Sequence, residues 1–479
     1  MNDPVPVNNT VIVGAIGAYV IVMIVVGAWA ARKVRTNHDF MLAGQRLGRL
    51  VLTGTLLATW TGAGTIIGRA SFSYTYGPLA SIFYSLGAPT GILIMYLFLA
   101  KRVRQYGKYT VPEIMETRYG PSVRLVTAVA ILLAYTGIMS EQVRGLGYIL
   151  HLTTDFPEEL AKLVGLAVIV FLAFSGGLLS VAYTDAISAL LITIALVGGF
   201  VFVLVAVGGF GGLAESLPPD HMTWSGGLTP IQVVGYVLPT LLLILGDQNM
   251  YQRFTAAQNP EIAKRSTLGF LAGDVLFYGA VIVLASCATV LLPGIAPDTA
   301  ILRLATDSLP LALGATMLMA GTAFIITTGN SYLLSAAGNL VHDIHRSLSR
   351  REHDARRELL LTRIAIVVLG ALAYAIGEFF PSVLEIQVFS YTMYGAVVTP
   401  SLLAVFLWKR ATAAGSIASI ITGIVATLGW EFVLDKPLGW NSVLVSLPLA
   451  LVALVAVSLA TTPRSDRAPC SSPAAQSEA

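Results

Sequence analysis

A chain of 479 residues has room for two or three soluble domains, yet 56% of it is hydrophobic and only 11% is charged, where soluble proteins carry about a quarter. Only lipid covers so much apolar side chain. The net charge of +3 is too small to point to nucleic acid, no zinc-type or nucleotide-type motif is present, and the two cysteines, Cys287 and Cys470, exclude a disulfide scaffold. The composition describes an all-α polytopic membrane protein.

A membrane-crossing helix needs about 20 mostly apolar residues, and about thirteen such segments follow one another here. They are Thr10–Ala31, Leu50–Tyr74, Pro78–Ala100, Ser122–Leu150, Leu160–Leu178, Ser180–Val207 and Pro230–Phe254, then Ser266–Pro293, Leu309–Leu340, Leu360–Phe380, Ser382–Trp408, Thr412–Val433 and Ser442–Ala460. The first does not read as a signal peptide, because MNDPVPVNN has no positive charge before it. Basic residues crowd alternate connections: Arg32 to Arg49, Lys101 to Arg124, Arg253 to Arg265, Arg346 to Arg363, Lys409–Arg410 and the tail. Basic connections stay cytoplasmic, so the N-terminus is expected outside and the C-terminus inside. Residues 101–121 read as a cytoplasmic connection with a short interfacial helix, GGFGGLAESLPPDHMTWSGG as an outer loop rich in turn formers, and the tail from Thr462 as disordered.

Three spans are not plain apolar runs. The second holds ATWTGAGTIIGRAS, Ala58 to Ser71, with three glycines and four hydroxyl residues. Glycine at this density loosens a helix, and freed carbonyls at membrane depth must line a cavity or be buried in protein. Gly64 and Gly68 also have the spacing of a helix-packing face, so both readings stand. In LLLILGDQNMYQRF, Asp247 and Gln248 follow a long apolar run. A carboxylate at depth should face a cavity or a partner, unless nearby Arg253 places Asp247 at the cytoplasmic interface. In the ninth span, Thr327, Thr328, Asn330 and Ser331 gather side-chain oxygens within little more than one turn. Such hydroxyls either bond back to the preceding turn or serve a small hard cation. Asp185, beyond the Gly176–Gly177 pair, is their negative counterpart or an interfacial acid.

Four stretches then carry a resemblance. DFMLAGQRLG (Asp39 to Gly48), SGGLLSVAYTD (Ser175 to Asp185), YQRFTAAQNPEIAKR (Tyr251 to Arg265) and TTGNSYLLSAAGNLVHDI (Thr327 to Ile344) resemble, in order, segments of the sodium:solute symporter family. The family's LeuT-type fold implies a core of five plus five inverted repeats over residues 50–408. One extra helix lies before it in residues 1–49, two follow in 409–461, and 462–479 form a disordered cytoplasmic tail. By position, the resemblance places a sodium site on the carbonyls of Ala58, Thr61 and Phe324 and the hydroxyls of Thr327 and Thr328. A second sodium site, present in some members, falls on Asp185, Thr327, Asn330 and Ser331. Two departures stand out: Ser188 occupies a position where the family often has Gln, and the stretches closest to the choline-transporter branch keep only part of its aromatic cage. Trp60 is retained there, while Ile138 and Asp247 stand at the other cage positions.

The expected function is sodium-coupled symport of a small polar organic solute, an amine or amino acid by preference, through alternating access. Trp60, Gly64, Arg69, Asp247 and Gln248 are the expected solute residues. Asp247 would compensate an amino group and Arg69 a carboxylate. One or two sodium ions would be the only bound cofactors. The expected setting is the lipid bilayer of the plasma membrane, with the protein working as a monomer and without nucleic acid. No nucleophile–base pair suggests an enzyme; a channel and a non-transporting solute sensor of the same fold are the rivals.

Overall fold

The computed structural model describes residues 10–31, 43–108, 110–173, 178–348 and 355–462. Regular structure among them is helical, apart from one isolated bridge between Leu47 and Ala257. The Gly176–Gly177 pair, the start of the Asp39–Gly48 stretch and the tail beyond Thr462 lie outside the described residues.

Ten helical stretches among the described residues are long and apolar enough to cross a membrane, where the sequence predicts about thirteen. The difference arises where helices are broken, fused or short. Helix α1, Thr10–Ala31, is followed by α2, Arg49–Trp60, which stops after 12 residues. The chain resumes through a wide π-helical turn, Gly64–Gly68, into α3, Arg69–Ser85. Gly77 inside α3 has φ of +85°, and a Cβ there would stand 2.4 Å from the His221 carbonyl oxygen. Only glycine passes that point without strain. The chain then runs on through α4, Gly87–Ile94, and a second wide turn into α5, Ala100–Tyr106, so two predicted spans merge.

Within residues 101–121, where the sequence predicts a short interfacial helix, stands α6, Val111–Tyr119, capped by the Thr110 hydroxyl, which accepts from the Glu113 amide. Helices α7, Pro121–Thr153, and α8, Glu158–Ala173, form an antiparallel pair. Helix α9, Leu178–Ala206, packs against α1 and α2, and a Tyr19–Ser188 hydrogen bond of 2.5 Å joins it to α1. The outer loop contains the short α10, Gly209–Ser216.

The sixth core stretch is also broken. Helix α11, Pro230–Gly246, ends as Asp247 takes an extended ψ of 119°, and α12, Gln248–Ala256, starts at once. The Asp247 carboxylate accepts from the Asn249 amide, the arrangement of a helix N-cap. Leu47, just before α2, exchanges backbone hydrogen bonds with Ala256 and Gln258, just after α12, which ties the two broken helices together at one end. Helix α13, Pro260–Leu291, leads to α14, Leu311–Gly338, which continues through a wide turn, Asn339–His345. Helix α15, Ala355–Gly377, follows.

The predicted span Ser382–Trp408 is not continuous either. It forms α16, Val383–Gly395, and α17, Thr399–Leu407, around a turn at residues 396–398. Pro400 near the start of α17 has no amide to continue the ladder. The chain closes with α18, Ala413–Leu428, and α19, Val443–Ala460, packed on each other. Helices α2, α7, α12, α14 and α16 surround the break in α2, and the most buried polar side chains lie among them.

Candidate functional site

A helix that stops inside a protein leaves its last carbonyls without intrahelical amides. At the end of α2 those carbonyls face α14. The Thr328 hydroxyl lies 3.1 Å from the Ala58 carbonyl oxygen, 3.2 Å from that of Thr61 and 3.4 Å from that of Thr59. One turn away, the Thr327 hydroxyl bonds the Phe324 carbonyl at 3.2 Å. All of these residues are buried. Of the five groups expected for a sodium site, the Thr328 hydroxyl and the Ala58 and Thr61 carbonyls meet between the broken helix and its neighbour, a neutral oxygen set of the kind that suits a small hard cation, whereas the Thr327 hydroxyl bonds back to Phe324 on its own helix.

The group expected as a second ion site is arranged differently. Asp185 and Ser331 do meet, but through Arg253. The Arg253 guanidinium bonds Asp185 Oδ2 at 3.4 Å, Ser331 Oγ at 3.1 Å, Thr55 Oγ1 at 3.0 Å and the Asn249 carbonyl at 3.2 Å. Thr55 and Thr59 donate to the same Asp185 oxygen at 2.6 and 3.3 Å. Asn330 makes none of these bonds, and its Oδ1 has no hydrogen-bond partner. A resident cation therefore stands beside Asp185. Arg253, read above as part of a basic cytoplasmic connection, is fully buried on α12: a guanidinium stays inside when each donor finds an acceptor.

Of the expected solute residues, Trp60 and Arg69 meet on Tyr278, and Gly64 lies between them in the chain on the wide turn. Trp60 Nε1 donates to the Tyr278 hydroxyl at 2.6 Å, and its ring lies 6.0 Å from that of Tyr391. Arg69, only 1% exposed, holds its guanidinium carbon 3.4 Å over the Tyr278 ring and 5.2 Å from that of Tyr84. None of its three side-chain nitrogens has a hydrogen-bond partner. Asp274 faces Arg69, Tyr278 and Trp60 without completing a hydrogen bond.

Opposite Trp60, α7 brings Glu141 and Gln142 to the break. Gln142 Oε1 accepts the Ala63 amide at 2.9 Å, and its Nε2 donates to Glu141 Oε1 at 3.0 Å. Gly64 leaves the space for this: a Cβ there would stand 2.6 Å from Glu141 Oε2 and 2.9 Å from the Gln387 side chain. Glu141, Asp274 and Gln387 were not among the expected residues. The available signal was an ionisable or amide side chain in the middle of an apolar helix.

Asp247 and Gln248 are spent elsewhere. Asp247 accepts from the Tyr135 hydroxyl at 2.5 Å, the Tyr332 hydroxyl at 3.1 Å and the Asn249 amide at 3.3 Å. It is fully buried, and hydroxyls and a helix N-terminus already compensate its charge. Gln248 bonds the Val111 amide at 3.1 Å and Asn339 at 2.9 Å, tying α12 to the interfacial helix α6 and to the end of α14.

Known proteins resemble this chain in sequence and in fold. The osmoregulated proline transporter OpuE of Bacillus subtilis (strain 168) is 24% identical over 472 residues, covering 94% of this chain and 95% of that one. The high-affinity choline transporter 1 of Caenorhabditis elegans is 26% identical, covering 88% and 78%. Among solved structures, the substrate-bound outward-open state of a Na+-coupled sialic acid symporter superposes with a TM-score of 0.79 at 17% identity, over 96% of this chain and 100% of the other. That likeness shows the fold, an assembly of broken and intact helices of the LeuT type. Residues 40–423 match the model of the sodium:solute symporter family, and the chain belongs to that family.

Proposed function

We propose that the protein is a sodium-coupled symporter that imports a small zwitterionic solute, an amino acid in the first instance, across the plasma membrane. The observation that carries the coupling is the approach of the Thr328 hydroxyl to the Ala58 and Thr61 carbonyls at the break of α2. A sodium ion on these oxygens and on Thr327 and Phe324 would tie α2 to α14. Loss of the ion would let the two separate, and solute affinity would change with that separation. Coupling requires such a difference in affinity between the two states.

The solute reading is supported by the side chains around the break of α2. Arg69 offers a buried guanidinium with open donors, and burying such a group without partners costs several kcal/mol. A solute carboxylate supplies them. The Trp60 and Tyr391 rings give the apolar faces that close on the solute's carbon skeleton. Relatives named for proline and for choline fit a site that takes a small nitrogen-bearing solute.

In this reading thirteen helices cross the membrane, each broken helix counting once. The inverted-repeat core covers residues 50–408, one extra helix precedes it and two follow. The N-terminus lies outside, and one protomer suffices for transport. The test is uptake of radiolabelled amino acids into proteoliposomes with an inward sodium gradient, compared with equal sodium on both sides. Uphill accumulation that collapses with the gradient is expected. Accumulation independent of sodium, or downhill flux alone as in a channel, would overturn the reading.

A further inference from the structure

We propose that Glu141 recognises the cationic nitrogen of the solute, with its free Oε2 accepting from a primary or secondary ammonium. This rests on the zwitterion reading above and deepens it. The first observation is charge. Arg69 and Asp274 face one another, whereas Glu141 forms no ion pair among the described residues and touches no cation. It is 1% exposed, and one of its two carboxylate oxygens bonds only the neutral Gln142 amide. An ionised carboxylate at membrane depth is retained where a partner arrives; here the chain supplies none.

The second observation is aim. Oε2 has no hydrogen-bond partner, and it lies against Gly64 on the wide turn that follows the break. Gln142 holds the neighbouring oxygen and is itself fixed on the Ala63 amide, so the carboxylate is positioned before any ligand arrives. Glutamate and glutamine side by side thus divide the work: one amide caps the exposed start of the resumed helix, and one carboxylate oxygen stays open.

The third observation is enclosure. A circuit of contacts joins Glu141 to the other solute residues. Trp60 bonds Tyr278, Tyr278 lies under Arg69, Arg69 neighbours Tyr84, and the Tyr84 hydroxyl bonds Gln387 Oε1 at 3.3 Å. Gln387 then meets Glu141 across Gly64. One carboxyl oxygen and one guanidinium without hydrogen-bond partners stand on the same circuit, groups complementary to the two ends of an α-amino acid. Of the other buried carboxylates nearby, Asp185 faces Arg253 and Asp274 faces Arg69, and Asp247, expected from the sequence to meet the solute, has both oxygens engaged by tyrosine hydroxyls.

The experiment uses the purified full chain in saturating sodium chloride and reads thermal shift and equilibrium binding. The probes are L-proline, L-alanine and L-leucine. L-alanine and L-leucine are each compared with the decarboxylated amine, the deaminated acid and the α-hydroxy acid in which hydroxyl replaces the ammonium; L-proline is compared with pyrrolidine, cyclopentanecarboxylic acid and tetrahydrofuran-2-carboxylic acid, whose ring oxygen replaces the ammonium. In the wild type, an amino acid that binds should outcompete its hydroxy acid by about tenfold or more, the scale of a charge-assisted hydrogen bond. Equal affinity overturns the proposal without any variant. Glu141→Gln should weaken amino acid and amine by about tenfold or more while sparing the deaminated acid; Glu141→Asp should recover part of the loss. Amino acid binding unchanged in Glu141→Gln, or a preference for the amine that disappears in Asp247→Asn instead, overturns the assignment alone. A wild type that responds to none of the nitrogen-bearing probes overturns the zwitterion reading together with it.

Discussion

Two arginines are buried within the same helix bundle, and their surroundings are opposites. Every side-chain nitrogen of Arg253 has an acceptor, and its charge faces Asp185. No side-chain nitrogen of Arg69 has one, and its guanidinium rests on aromatic faces. The two lie on either side of the break in α2: Arg253 is bonded to Thr55 before it, and Arg69 opens the helix after it. A buried polar group that has found its partners inside the chain supports structure, and one that has not is waiting for something from outside. The molecule thus closes its polar interior on one side of the break and leaves it open on the other.

The largest effect should come from breaking the closed side. Arg253→Gln leaves Asp185 buried without its cation, and removing one member of a buried pair costs about 3–5 kcal/mol. A marked fall in melting temperature and in membrane yield is expected. The double variant Asp185→Asn, Arg253→Gln removes both charges and keeps hydrogen-bonding groups, so it should recover most of that loss. A double variant no more stable than the single one would show that the pair does not act as a unit.

Arg69→Gln makes the complementary test. Because the guanidinium has no hydrogen-bonded partner to abandon, the ligand-free protein should lose less stability than in Arg253→Gln, even though Asp274 loses the cation it faces. Binding of solutes with a carboxylate should instead weaken by about 1.5–3 kcal/mol, the usual worth of a hydrogen bond to a charged group. Isothermal titration beside a melting curve separates the two. A large drop in melting temperature with unchanged binding would place Arg69 among the structural arginines and erase the contrast.

That contrast was only partly legible in the sequence. The broken α2 could be read because Gly62, Gly64 and Gly68 crowd one stretch, and glycine at that density has a direct backbone consequence. Thr327 and Thr328 could be read because hydroxyls one after another in an apolar helix are conspicuous. Arg253 was misplaced because distance along a helix says how deep a residue lies only if the helix is unbroken. The break at Asp247 and the restart of the chain as α12 kept Arg253 inside. Glu141 and Asp274 passed unnoticed for a different reason. Each looks like a single polar residue on one helix, and whether it is paired is decided by α3, α13 and α16, far away in sequence. The turn at residues 396–398 was missed because Val397 and Val398 are apolar and disguise the approach to Pro400.

The proposed sodium site borders both regions, and its effect should be intermediate. Replacing Thr327 and Thr328 together by valine removes two hydroxyls at nearly constant volume. Sodium binding, read by fluorescence titration against N-methylglucamine chloride, should weaken by about 1–3 kcal/mol, with melting temperature little changed. An unaltered sodium dependence would remove both residues from the site and leave the open side without its coupling ion.

The smallest effect should come from Asp247, the carboxylate that borders both regions and belongs to the closed class. Asn at this position retains N-cap capacity, since asparagine and aspartate cap helices about equally well. It keeps one carbonyl oxygen as an acceptor, so of the hydroxyls of Tyr135 and Tyr332 one loses its partner. A neutral hydrogen bond lost in this way costs about 1 kcal/mol, and the tyrosine left over can turn toward the new amide only as an acceptor. Asp247→Asn should therefore lower the melting temperature slightly and leave the preference for ammonium over hydroxyl in the solute where it was. Since the amide adds donors next to two hydroxyls that were themselves donors, the substitution probes charge and hydrogen-bond polarity together; Asp247→Glu, which keeps the charge but lengthens the side chain, separates them. If the nitrogen preference follows the charge through both variants, the carboxylate facing the solute is Asp247, and the boundary between the paired and unpaired halves of the interior has to be drawn one helix further in.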